Sequence, residues 1–66
     1  MKRYAANEIL IEGKAYSPGL IEVENGEVIS WQQLEQELAM TEWLGGTVTV
    51  IRENGKLTAY KDGKKI

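Results

Sequence analysis

The sequence predicts a mainly-β to α+β fold: a small curled antiparallel sheet or open barrel of five to six short strands, with one amphipathic helix. Three observations carry it. Alternating apolar residues recur in short runs, such as Ile9/Ile11 and Val48/Val50. Two Asn-Gly dipeptides, at 25–26 and 54–55, lie between such runs, and Asn-Gly suits the two positive-φ positions of a tight hairpin turn. Between the hairpins the apolar period changes from two to that of a helix. The 66 residues form one domain, 1–66.

Taken in order, "NEILIEG" supplies a strand with Ile9 and Ile11 on one face, and "SPG" at 17–19 is a loop. "LIEVENGEVISW" is the clearest hairpin. A two-residue loop at Asn25-Gly26 pairs Glu24 with Glu27, Val23 with Val28, and Ile21 with Ser30. Ile21, Val23 and Val28 then share one face, and Glu22, Glu24 and Glu27 the other. In "SWQQLEQELAMT", Trp31, Leu34 and Leu38 fall on one helical stripe, with Gln32, Glu35, Gln36 and Glu37 opposite. Ser30 and Gln33 have capping-box spacing, so a helix is expected to begin at Trp31. A helix of that length needs docking to survive, and its Trp/Leu stripe is the docking face.

"TVTVIRENGKLTAYKDGKKI" is a second hairpin rich in β-branched residues. A two-residue loop places Glu53 opposite Lys56; a three-residue loop with a glycine bulge would move the pairing, and both registers stay open. Asp62-Gly63 marks a further turn that leaves "KKI" as the stub of a last strand. The expected core is Ile9, Ile11, Ile21, Val23, Val28, Trp31, Leu34, Leu38, Val48, Val50 and Leu57.

Composition excludes much chemistry. There is no cysteine and no histidine, which removes disulfides, thiol nucleophiles, His-based triads and most transition-metal sites. Ser17 and Ser30 have no base beside them, and "WLGG" lacks the lysine and helix of a phosphate loop. No catalytic, cofactor-binding or metal-ligating residue is assigned, and no cofactor is expected. No apolar run approaches a membrane span, and the N-terminus lacks a signal-peptide pattern, so a cytoplasmic protein is expected. The net charge of −2 is unevenly spread: Tyr4 to Ile51 holds eight glutamates and one lysine, whereas Arg52 to Ile66 holds five bases and two acids. The glutamates at 22, 24 and 27 read as solvated charges on an exposed face that discourage edge-to-edge association.

Two groups stand out as candidate contacts. Trp43 lies outside any alternating pattern and is either a plug at one end of the core or an exposed anchor for a partner; the plug is the expectation. Tyr60 with Lys61, Lys64 and Lys65 combines one stacking ring with bases, the minimal elements of a nucleic-acid face. The leading functional reading is a non-enzymatic module acting through protein contacts, with an unidentified protein or a second copy as partner. The alternative is a small nucleic-acid-binding barrel using the basic C-terminal hairpin.

"ILIEGKAYSPGLIEVENGEVIS" followed by "EWLGGTVTV" resembles the small β-domain that flanks the barrel of metal-dependent amidohydrolases such as dihydroorotases. Ile9 to Lys14, Gly19 to Ile29 and Leu44 to Val50 follow its outline. Where that family continues into proline-glycine and the histidine ligands of its barrel, this sequence has Thr49 and Val50 and no histidine. The resemblance therefore implies a fold, as in a stand-alone bacterial unit without the catalytic barrel, and carries over no metal ligand.

Overall fold

The computed structural model describes residues 1–36 and 38–66. In chain order these form β1 (Lys2–Ala6), β2 (Glu8–Ile11), β3 (Lys14–Tyr16), β4 (Gly19–Glu24), β5 (Glu27–Gln33), β6 (Thr41–Trp43), β7 (Thr47–Glu53), β8 (Lys56–Lys61) and β9 (Lys64–Lys65). Two sheets result, one ordered β5-β4-β1-β6 and the other β3-β2-β7-β8-β9. Each is antiparallel apart from one parallel pair, β1 with β6 and β2 with β7.

The local reason for so many short strands is the turn chemistry. Glu12-Gly13, Asn25-Gly26, Asn54-Gly55 and Asp62-Gly63 each have positive φ at both residues, which matches the right-handed twist of the strands they join. Two of these, Asn25-Gly26 and Asn54-Gly55, fall where the sequence places them, and Glu53 pairs with Lys56, which decides the second hairpin for the two-residue register.

The sheets are joined by a pair of breaks that lie side by side. β1 leaves the first sheet at Asn7 and continues as β2 in the second; β6 does the same through Leu44–Gly46 to become β7. At the crossing the Gly46 amide donates to Asn7 Oδ1 (2.7 Å), the Glu8 amide to the Gly46 carbonyl (3.1 Å), and the Leu44 amide to the Ala5 carbonyl (2.8 Å). The backbone groups released by both strands at the break are thus used between them, as buried or crowded amides require.

The main core fills the space between the sheets. Tyr4, Ala6, Ile21, Val23 and Val28 come from the first sheet, and Ile9, Ile11, Val48, Val50, Leu57 and Ala59 from the second. Alternation explains the set, since each strand sends every second side chain inward. Eight of the eleven expected core residues are buried here, but Trp31, Leu34 and Leu38 are not.

The expected helix is the principal correction. Trp31–Gln33 continue β5, paired through Ile21↔Trp31, Leu20↔Gln32 and Gly19↔Gln33, and no helix occurs among the described residues. The Ser30 hydroxyl does not cap a helix; it donates to Glu22 Oε1 at 2.6 Å. A register shift between Glu22 and Val23 makes this possible: Val23 meets Val28 as expected, but Glu22 meets Ser30 and Ile21 meets Trp31, leaving Ile29 as the extra residue of a β-bulge. Strand pairing along β4 outweighs the weak helical preference of a segment this short. Glu37, expected on the helix's polar face, lies outside the described residues. Trp31, expected in the core, is 39% exposed at the far end of β5. The sheets also depart from a purely antiparallel arrangement, because sequence alternation does not reveal which non-neighbouring strands pair.

Candidate functional site

The outer face of the first sheet carries the molecule's most developed surface. On this face β1 contributes Arg3 and Ala5, β4 contributes Leu20 and Glu22, and β6 contributes Thr41 and Trp43, through the pairs Arg3↔Glu22, Ala5↔Leu20, Arg3↔Thr41 and Ala5↔Trp43. Ala5 and Leu20 are buried although they point away from the main core. Leu34, just after β5, and Leu38, before β6, come to this side, and both are half-buried. The two leucines that suggested a helix stripe therefore dock a crossover.

A polar network holds the crossover down. Arg3 Nε donates to Glu22 Oε2 at 2.8 Å, and Arg3 Nη1 donates to the Ala39 carbonyl at 3.1 Å. Glu22 thus accepts from Ser30 on one oxygen and from Arg3 on the other. These bonds hold its carboxyl below the usual carboxylate range, the Ser30 hydroxyl most strongly and the Arg3 guanidinium next. Glu22 is consequently not a free solvated charge, as its place in the sequence suggests, but the tie between β1, β4 and β5. Its partners at 24 and 27 stand opposite one another at the turn. Among the described residues no three carboxylates gather into a metal-binding group.

At the open side of this face lies a hollow of about 280 Å³ lined by Ala5, Leu34, Leu38, Thr41 and Trp43. Trp43 is 55% exposed, so it is a rim and not the expected core plug. An edge strand of three residues cannot cover a ring of that size, and the diglycine after it offers no side chain to pack against. Met40, immediately before β6, is 91% exposed and sits at φ 59°, a left-handed backbone that a bulky residue seldom adopts.

The sequence-predicted residues divide between the two faces of β8–β9, Lys61 opposite Lys64 and Tyr60 opposite Lys65. Lys61 and Trp43 border successive glycines: a Cβ added to Gly46 would lie 3.5 Å from Lys61 Nζ, and one on Gly45 would lie 3.7 Å from Trp43 Nε1. Lys61 is also paired with Asp62 at 3.0 Å. Lys65 extends the other way, its Nζ 3.3 Å from a Cβ placed on Gly26 in the acidic hairpin. Lys64 is exposed in β9. Tyr60 lies in β8, where its hydroxyl donates to Glu53 Oε1 at 2.7 Å; that bond, with some desolvation, raises its pKa above the ordinary phenol value. Among the groups overlooked in the sequence are Arg3, Ala5, Leu20 and Met40. The alternation in "KRYAA" was a signal for the first two, but nothing local ties Arg3 to Ala39.

No family model, curated protein or solved structure matches this chain. Among the described residues, no helix is long and apolar enough to cross a membrane.

Proposed function

We propose that this chain is a non-enzymatic contact module whose working surface is the β6 edge, centred on Trp43. The observation that carries the proposal is a large ring, 55% exposed, on the rim of an apolar hollow beside an edge strand. Aromatic residues so placed are the usual anchors of protein interfaces. A β-unit of the kind that flanks the amidohydrolase barrel, acting apart from one, suits this role.

Two arrangements favour protein contact over a nucleic-acid barrel. The Tyr60 hydroxyl is committed to Glu53, which sets a carboxylate beside the ring that would stack on a base. Lys61 and Lys64 pair on one face of β8–β9 and Tyr60 and Lys65 on the other, so the ring and the three bases do not line one groove. A photo-crosslinking residue at position 43 tests the reading against the same probe at position 56, which is exposed among polar side chains. The first should give discrete protein adducts in cells and the second none. Nucleic-acid adducts at 43, or identical adducts at both positions, would refute it.

A further inference from the structure

The open edge of β6 has a definite hydrogen-bonding pattern. In a parallel pair, alternate residues of a strand direct their backbone groups to the neighbour. The Leu44 amide bonds to the Ala5 carbonyl, so Leu44 and, two residues earlier, Glu42 face β1. Thr41 and Trp43 then present their N–H and C=O groups to the outside of the sheet. Side chains alternate as well: Thr41 and Trp43 lie on the outer face beside the hollow, while Glu42 lies on the other face, exposed and without an ion pair among the described residues. The surroundings are acidic. Residues 34–43 contain three glutamates and no base; Arg3, across the strand pair, is already held by Glu22 and Ala39, and Lys61, near Gly46, is paired with Asp62.

Building on the contact role above, we infer that β6 accepts an extended segment of a partner protein as an added strand, and that this segment alternates apolar with basic residues. Backbone pairing with Thr41 and Trp43 supplies the register. Apolar side chains on the hollow's face meet Trp43, Leu34 and Leu38, and basic side chains on the opposite face meet Glu42. Same-face neighbours across a strand pair are the ones that interact, and alternate pockets are how strand addition selects sequence. A second copy of this chain is a poorer occupant. Symmetric antiparallel pairing of Thr41 with Trp43 would set Glu42 directly against its counterpart, a like-charge pair at the closest cross-strand spacing.

The probe is an acetylated, amidated Lys-Val-Lys-Val-Lys-Val-Lys peptide, titrated against the whole protein with Trp fluorescence and the amide shifts of Thr41 and Trp43 as readouts. The Glu-Val version should bind at least tenfold more weakly, and Glu42→Lys should reverse that preference. Trp43→Ala should weaken binding by a similar factor while leaving the unfolding transition in place. N-methylation of the valine amides and of the lysine amides, in separate peptides, should abolish binding in one case and spare it in the other, because only one edge faces β6. Equal binding of the acidic and basic peptides, or indifference to both methylations, would overturn the inference while leaving an apolar contact site. Trp43 shifts that follow protein concentration and ignore peptide would identify a second copy as the occupant, overturning strand capture and keeping the contact role. Silence in both titrations would overturn both.

Discussion

Gly19 opens β4 directly against Ile9 of the second sheet, and replacing it with alanine should destabilise the protein severely. A Cβ built there would lie 2.5 Å from Ile9 Cγ1, 2.9 Å from Ile9 Cβ and 2.9 Å from the Tyr16 carbonyl oxygen. Ile9 is completely buried, so its branched side chain has nowhere to retreat, and the carbonyl is backbone. Gly19 does not have positive φ, so the cost is steric and not conformational. Overpacking of a tight core costs about 1–3 kcal/mol, and two immovable neighbours place this site at the upper end. Loss of glycine's freedom in the unfolded chain returns about 0.4–1 kcal/mol. The net expectation is a loss of about 2 kcal/mol, against a total stability of about 3–10 kcal/mol for a chain of this length. Small domains lose about 1 kcal/mol per molar urea, so the urea midpoint should fall by roughly 2 M. Trp fluorescence follows the transition. In the double variant with Ile9→Ala, which removes Cγ1, the two losses should sum to more than the measured one by at least about 1 kcal/mol. An unchanged or raised midpoint in Gly19→Ala, or strict additivity with Ile9→Ala, would show that the sheets are not in contact there.

Three other outcomes follow. Because its folded pKa is depressed, Glu22 contributes stability above its unfolded value of 4.5, and that contribution is lost as pH falls through the lower folded value; Glu22→Gln should therefore lower the melting temperature at neutral pH, with the gap to the parent closing in acid. For Tyr60 the sign is opposite: a raised pKa gives stability that is present below 10 and lost as pH rises through the folded value, so Tyr60→Phe should flatten the alkaline limb of a pH–melting curve. Trp43→Ala should cost less than about 1 kcal/mol by denaturant titration, well short of the 3–5 kcal/mol of a buried tryptophan, and a larger loss would return the ring to the core.

Alternation and Asn-Gly turns made the hairpins and most of the core legible, because both are local signals. Val23 against Val28 follows from turn length alone, whereas Glu53 against Lys56 is one of two registers the second turn allows. The bulge at Ile29 was not legible: it depends on Glu22 finding both Ser30 and Arg3, which lies 19 residues away from it in the chain. Once that bulge forms, Trp31 stays in a strand, and the helical spacing of Leu34 and Leu38 serves a crossover instead. Trp43 was visible as a candidate, but its exposure was not, since only the parallel pairing with β1 makes β6 an edge. The lysines of the last hairpin are close in sequence, yet strand alternation puts Lys61 and Lys65 on opposite faces of the sheet.

The side-by-side breaks at Asn7 and the diglycine bear on the order in which the chain acquires structure. The hairpins β4–β5 and β7–β8 pair neighbours, whereas β1 and β2 must wait for partners about forty residues downstream, Thr41–Trp43 and Thr47–Val50. Closing such long loops is entropically slow and gives nothing back until the pairing is made. On a ribosome, β1 and β2 emerge well before β6 and β7 and would be among the last strands to find both neighbours. Until then β1 has a raw edge where β6 belongs, with Ala5 and Leu20 uncovered on the outer face. The nascent chain is then most prone to borrow a strand from another molecule at that place, shortly before its own β6 arrives to fill it.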